Sequence, residues 1–194
     1  MIIKNVKFLK SDTKADYSFG LPEIAIVGRS NVGKSSLINY LTNSKIAKTS
    51  STPGRTRLIN YFEINGGQFL LVDLPGYGYA KTDKNMKNNW GSMIEPYILN
   101  NKNIKNILLL VDSRIVPTND DKQMMQFLLY YQIPFTIIAT KVDKLSKSEL
   151  GRSLQKIAET LKVGVGNIYP VSATKRVGAE EILNRITQFL IEEV

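Results

Sequence analysis

The hexapeptide Glu23–Gly28 (EIAIVG) runs directly into Gly28-Arg29-Ser30-Asn31-Val32-Gly33-Lys34-Ser35, and Lys34–Thr42 (KSSLINYLT) follows with helical spacing. This order constrains the fold more than any other feature of the chain. A short apolar run closed by glycine reads as a buried strand, and the octapeptide fits G-x-x-x-x-G-K-[ST] at every fixed position. Gly28 and Gly33 let the backbone turn with its amides facing inward, where they and the N-terminus of the next helix can cradle phosphate oxygens. In such a loop Lys34 reaches the β- and γ-phosphates and the Ser35 hydroxyl ligates Mg2+. Arg29, Ser30, Asn31, Val32 and Ser36 complete the candidate binding segment. The plainer alternative is a glycine-rich turn with a surface lysine, which the strand before and the helix after both disfavour.

The same alternation continues along the chain. Leu58–Ile64 alternates apolar and polar residues, meets the hairpin signal Asn65-Gly66, and returns as Gln68–Asp73 (QFLLVD). Asn106–Asp112, Pro134–Thr140 and the short Ile168–Val171 are further strands. Between them, Asp121–Tyr131 is expected to bury Met124, Met125, Leu128 and Leu129, Ser148–Leu161 to bury Leu150, Leu154, Ile157, Ala158 and Leu161, and Ala179–Ile191 to bury Ile182, Leu183, Ile186, Phe189 and Leu190. These stripes are core. Strands alternating with helices predict an α/β fold of the P-loop NTPase kind, doubly wound, with a mostly parallel six-stranded sheet, one antiparallel strand and helices on both faces. Ligands of such sheets bind beyond the carboxyl ends of the strands. Residues 1–194 are expected to form one nucleotide-binding domain, with 1–20 as an N-terminal extension.

Composition narrows the chemistry. The chain has 194 residues with no cysteine and no histidine. Disulfides, thiolate sites, imidazole catalysis and His-ligated metals are therefore excluded, which leaves carboxylates, lysines, hydroxyls, backbone amides and a hard metal ion. Residues 1–60 carry ten Lys/Arg against three acids, whereas the rest is nearly balanced within a net charge of +9. That asymmetry suggests a polyanionic partner. No apolar stretch is long enough to cross a bilayer and the N-terminus lacks the core of a signal peptide, so a cytoplasmic protein without a membrane partner is expected, with a monomer as the default state.

Four further motifs lie beyond the phosphate loop. Asp73-Leu74-Pro75-Gly76 closes an apolar strand. There a carboxylate can hold Mg2+ through water, and the Gly76 amide can approach a γ-phosphate. Thr140-Lys141-Val142-Asp143, again at a strand end, resembles the N-K-x-D guanine box, with Thr140 in place of Asn. Asp143 can accept hydrogen bonds from guanine N1-H and its 2-amino group, and the stem of Lys141 can cover the base. Ser172-Ala173-Thr174 resembles the loop whose Ala173 amide contacts guanine O6. Between the first helix and second strand, Ser51-Thr52-Pro53-Gly54-Arg55-Thr56-Arg57 lies where GTPases keep a switch loop. Thr56 is the candidate Mg2+ ligand in the triphosphate state, Thr52 is the alternative, and Gly54 and Arg55 lie beside the nucleotide.

Taken together, GRSNVGKSSLIN, STPGRTRLINYF, DLPGYGYA and TKVDKL resemble the EngB family of bacterial GTPases, within the TrmE-Era-EngA-EngB-Septin-like class. The resemblance runs from about Glu23 to the C-terminus, and this family commonly has T-K-x-D. It implies GTP and GDP as ligands, Mg2+ as cofactor, a role in assembly of the large ribosomal subunit, and a requirement in cell division and septation. Lys34, Thr56 and Gly76 are the candidate catalytic residues, and Ser35, Thr56 and Asp73 the candidate metal ligands. Many switch GTPases place a Gln after D-x-x-G to orient water; here Tyr77 stands there, and a phenol does not replace an amide. Arg29, Arg55 and Arg57 are candidate internal arginine fingers, with phosphate or RNA contact as their plainer role. Slow basal hydrolysis is expected, with Gly54, Gly76 and Gly78 as hinges for ordering by a partner. Two other readings remain: a nucleotide-dependent RNA-binding module in which hydrolysis is incidental, and a P-loop ATPase or kinase, against which Asp143 argues.

Overall fold

A computed structural model describes residues 1–13, 19–47, 58–78 and 93–191. Seven strands form one sheet: β1 (Val6–Asp12), β2 (Glu23–Gly28), β3 (Ile59–Ile64), β4 (Phe69–Asp73), β5 (Ile104–Asp112), β6 (Phe135–Thr140) and β7 (Ile168–Pro170), in the order β1-β3-β4-β2-β5-β6-β7. The pairings β4-β2-β5-β6-β7 are parallel, and β3 is antiparallel to both its neighbours. Thus one strand runs against the rest, as expected, but the sheet has one strand more than the six expected. The addition is β1, drawn from the stretch read as an extension.

The helices are α1 (Lys34–Leu41), α2 (93–100), α3 (Asn119–Tyr130), α4 (Lys147–Leu161) and α5 (Ala179–Ile191). Successive residues of a strand face opposite ways, so each central strand supplies two cores. Ala25, Val27, Ile107, Leu109 and Val111 pack with Ile94, Tyr97 and Ile98 of α2, Met124, Met125 and Leu128 of α3, and Ile157, Ala158 and Leu161 of α4. Ile24, Ile26, Leu108 and Leu110 pack on the other face with Leu37, Ile38 and Leu41 of α1 and Ile182 and Ile186 of α5. Leu129 is a correction to the α3 stripe. It lies a further 100° around the helix from Leu128 and is 56% exposed. Both α3 and α4 start with capping boxes, Thr118 with Asp121 and Ser146 with Glu149. No helix among the described residues is long and apolar enough to cross a membrane.

The turn from β3 to β4 explains why the N-terminal strand docks. Asn65, Gly66 and Gly67 all have positive φ, at 51°, 68° and 95°. In this left-handed turn the Asn65 side chain turns outward to the other chain segment: Oδ1 accepts from Lys4 N at 2.7 Å and Nδ2 donates to Ile2 O at 3.0 Å. The Asn65 amide donates to Asn5 O at 3.1 Å. One residue therefore shapes the hairpin and clamps the segment leading into β1. Asn65→Ala should destabilise the fold by about 2 kcal/mol, through left-handed strain and lost hydrogen bonds. Asn65→Gly, which keeps the turn, should cost less. Urea midpoints of both variants check this, together with faster amide exchange in Val6–Asp12.

Candidate functional site

Every described motif lies at the carboxyl end of a strand: β2 feeds the glycine loop, β4 ends in Asp73, β6 in Thr140, and β7 leads to Ser172. The glycine loop is tight. A Cβ on Gly28 would meet Val32 Cγ1 at 2.8 Å and Leu110 O at 2.9 Å. Asn31 and Gly33 adopt φ of 62° and 117°. Gly33 caps α1 without a side-chain hydrogen bond, and the first turn carries no acid. The first amides of α1 thus open on the loop without an acid of the helix's own to neutralise its positive end.

At the base of the loop lie two buried opposite charges. Lys34 is 8% exposed and Asp73 3%. Burial pulls the Lys34 ammonium below its ordinary pKa, and the nearby Asp73 only partly restores it. Burial pushes the Asp73 carboxyl up, against the attraction of Lys34 and a hydrogen bond with Ser35. Asp73 Oδ1 has no hydrogen-bond partner among the described residues. Both ions are therefore incompletely compensated, a state that calls for further charges of each sign.

The D-L-P-G segment is fastened over the loop. Leu74 N donates to Ile26 O at 3.1 Å, Tyr77 N to Gly28 O at 3.3 Å, and Ser30 N to Tyr77 O at 2.9 Å. A Cβ at Gly76 would stand 3.0 Å from Ser30 N and Cα and 3.1 Å from Lys34 Nζ, so only glycine brings its amide this close. Leu74 is fully buried, and Pro75 and Gly76 are half-buried. Tyr77 turns inward. It is 6% exposed and donates its hydroxyl to Asp121 Oδ1 at 2.9 Å.

A hydrogen-bonded frame carries T-K-V-D. The Thr140 hydroxyl lies 2.7 Å from Val32 O and 3.1 Å from Val111 O. Lys141, at φ 62°, donates to Asn31 O at 2.6 Å and to Asp112 Oδ2 at 2.8 Å. Arg114 grips Asp112 with Nε at 2.9 Å and NH2 at 2.8 Å. Burial raises the Asp112 pKa, but the hydrogen bonds from Arg114 and Lys141 outweigh it and hold the carboxyl at about 2. Ser172 donates to Asp143 Oδ1 at 2.7 Å, and this bond holds Asp143 below the usual carboxylate range. Ser172 is itself fixed by paired backbone bonds with Val177 and accepts from Lys175 N at 2.9 Å. Val142 is buried beneath this loop.

The sequence thus anticipates a cluster that the fold assembles: Gly28 to Ser36, Asp73 to Gly76, Thr140 to Asp143 and Ser172 to Thr174. A cavity of about 1330 Å3 borders this cluster at Ser36, Asp73, Ala173 and Thr174, and its other lining residues include Phe8 of β1, Asn39 and Tyr40 of α1 and Phe62 of β3. Gly54, Arg55 and Thr56, with Thr52 and Arg57, lie outside the described residues. The sequence reading missed Asp112, Arg114 and the Tyr77–Asp121 pair. Asp112 carried a signal, an acid closing an apolar strand as Asp73 does. Arg114 and Asp121 carried none.

The family profile described as 50S ribosome-binding GTPase matches residues 23–141. A protein of Geotalea daltonii named "Probable GTP-binding protein EngB" is 49% identical over 196 residues, covering 100% of this chain and 94% of that protein. A crystal structure of a probable GTP-binding protein EngB superposes with a TM-score of 0.73 at 29% identity, over 87% of this chain and 98% of the other. Era in complex with MgGDPNP and nucleotides 1506–1542 of 16S ribosomal RNA gives a TM-score of 0.68 at 26% identity, over 90% of this chain and 58% of Era. With its motifs assembled at the carboxyl ends of its strands and these relatives matching nearly its whole length, the chain belongs to the EngB family of GTP-binding proteins, which are GTPases.

Proposed function

We propose that residues 1–194 act as one GTP-binding domain that binds Mg-GTP, hydrolyses it slowly to GDP and phosphate, and serves as a nucleotide-gated factor in large ribosomal subunit assembly in the cytoplasm. The observation that carries this reading is the pair of under-compensated buried charges, Lys34 and Asp73, set between the uncapped start of α1 and the Gly76 amide. A triphosphate supplies the anion that Lys34 lacks. Hard oxygen donors suit Mg2+, and the unpartnered Asp73 Oδ1 beside Ser35 fits that ion, with the carboxylate acting through water. When bound, Mg2+ neutralises charge on the β- and γ-phosphate oxygens.

The chain's own residues then divide the work. Amides of Asn31 to Ser36 and the α1 terminus hold the phosphates, with Arg29 and Ser30 at the loop's entry. Lys34 and the Gly76 amide stabilise charge on the γ-phosphoryl as water attacks in line and GDP leaves. Thr56, preceded by Gly54 and Arg55 beside the nucleotide, is the proposed second protein ligand of the metal in the triphosphate state. Asp143, held ready by Ser172, accepts from guanine, Lys141 with Thr140 and Val142 shapes the base slot, and the Ala173 amide beside Thr174 faces O6. Turnover is slow because Tyr77 is anchored in the core and cannot orient water. A partner that completes the site is the large subunit, supported by the family description and the basic first third of the chain, and a role in cell division and septation follows from that assembly step. The buried Tyr77 also gives weight to the second reading, an RNA-binding module with incidental hydrolysis. Multiple-turnover hydrolysis with and without purified large subunits separates the two. Acceleration by subunits is expected, and subunit binding that is equal in GDP and in a non-hydrolysable GTP analogue would overturn the gated reading.

Two substitutions test the site directly. Asp143→Asn replaces an acceptor by a group that offers a donor toward guanine's donors. It should weaken GTP strongly and favour xanthosine nucleotides, whose carbonyl accepts, as read by nucleotide titration. Lys34→Ala removes a charge-assisted contact worth roughly 1.5–3 kcal/mol, so calorimetric GTP affinity should fall by more than about tenfold.

A further inference from the structure

We infer that Tyr77 and Asp121 are positioning residues for γ-phosphate recognition: α3, through the Tyr77 hydroxyl, fixes the Gly76 amide against the phosphate loop. The inference rests on the proposed GTP reading and assigns a task to a position that, in the sequence, registered only as the lack of a water-orienting amide.

The geometry runs in one connected chain. Gly76 lies against Ser30 and Lys34 so closely that a Cβ would intrude at 3.0–3.1 Å. Its neighbour Tyr77 is bound on both sides of its peptide unit, by N to Gly28 O and by O from Ser30 N, and pairs with Arg29 as a parallel bridge. Those backbone bonds fix the height of the segment above the loop. They leave a rotation about the strand axis, which would swing the Gly76 amide toward or away from the phosphates. The Tyr77 side chain removes that rotation. Its ring lies in the core with Met124, Met125 and Ile94, and its hydroxyl donates to Asp121 Oδ1. Asp121 is 2% exposed and cannot yield, because its Oδ2 accepts from Thr118 N and Thr118 Oγ1, both at 2.8 Å. A carboxylate held by three donors is a stiff anchor, since unmaking any one leaves buried charge under-solvated. Gly78, with φ 82°, also lies close to α3, where a Cβ would meet Asp120 Oδ2 at 2.9 Å.

The plain alternative is that a buried tyrosine has simply found a partner for its hydroxyl, which buried tyrosines generally do. The two differ in what they predict for GTP against GDP. On the proposed GTP reading the Gly76 amide serves the γ-phosphate alone, so loosening it should weaken GTP and leave GDP alone. A stability role weakens both or neither.

The test uses the full chain with Tyr77→Phe, which deletes the hydroxyl and keeps the ring. Asn65→Ala is the control, since it destabilises the fold at the β3–β4 turn and leaves Tyr77, Asp121 and Thr118 untouched. Binding of GDP and of a non-hydrolysable GTP analogue is measured by calorimetry, with melting temperatures alongside. We expect Tyr77→Phe to lower the ratio of analogue to GDP affinity at least fivefold with GDP affinity within twofold of the unaltered protein. Asn65→Ala should lower the melting temperature with the ratio intact. If Tyr77→Phe lowers only the melting temperature, or if Asn65→Ala shifts the ratio as much, the inference is overturned while the GTP reading stands. Absence of guanine nucleotide binding in the unaltered chain would overturn the proposed function and this inference with it.

Discussion

Lys34 is a cation taken almost wholly out of water, and much of the surrounding architecture answers that cost. A buried ammonium needs an anion, and the nearest is Asp73, which burial has itself made reluctant to ionise. Two such ions would relax most easily by moving apart into solvent. They cannot, because Asp73 ends β4 and Lys34 opens α1 just beyond the loop that leaves β2: Ile26 of β2 lies opposite Asp73 of β4, and both strands are buried on both faces. The core thus holds the charges in place, and the charges define the site. Remove the doubly covered sheet and nothing would keep an unpaired carboxylate oxygen beside a lysine.

The two ends of the site are held in different ways. At the proposed base end the charged groups are paired: Asp143 has Ser172, Lys141 has Asn31 and Asp112, and Asp112 has Arg114 as well. That end is assembled before any ligand arrives, so little ordering remains to be done on binding. On the phosphate side the groups are in place but their charges are not balanced. Binding energy is therefore concentrated where the ligand brings charge.

What the sequence made legible follows from the range of the interactions. The glycine loop is read from eight consecutive residues, because turn, amide cradle and helix start are all local. Strands and helices of the central sheet were legible for the same reason, since their periodicity lies within a few residues. β1 was not, because Val6–Asp12 becomes a strand only when Asn65, sixty residues on, catches the segment before it. Alternation in VKFLKSD is faint, as expected of an edge strand with one ladder. The Asp112–Arg114–Lys141 frame was equally hidden. Its members are ordinary charges until β5 and β6 pair Asp112 with Thr140 in register. Leu129 failed for a simpler reason, namely that five of the six residues 124–129 are apolar, more than the arc of a single face can bury.

Tyr77 joins these themes. In the sequence it reads as a deficit, since a phenol cannot orient water as an amide does. In the fold it is the residue through which a distant helix touches the phosphate site. The side chain that follows Gly76 has two possible directions, outward toward the attacking water or inward toward α3. Burial of an aromatic ring of this size contributes on the order of 2–3 kcal/mol, and the Asp121 bond adds to it, so the inward direction dominates. The chain has thereby exchanged a group that would speed the chemistry for one that stiffens the segment bearing the Gly76 amide. On the proposed gated reading, stiffness of that kind serves to distinguish nucleotide states rather than to consume them quickly. Fast turnover then has to come from a group outside the described residues or from a partner.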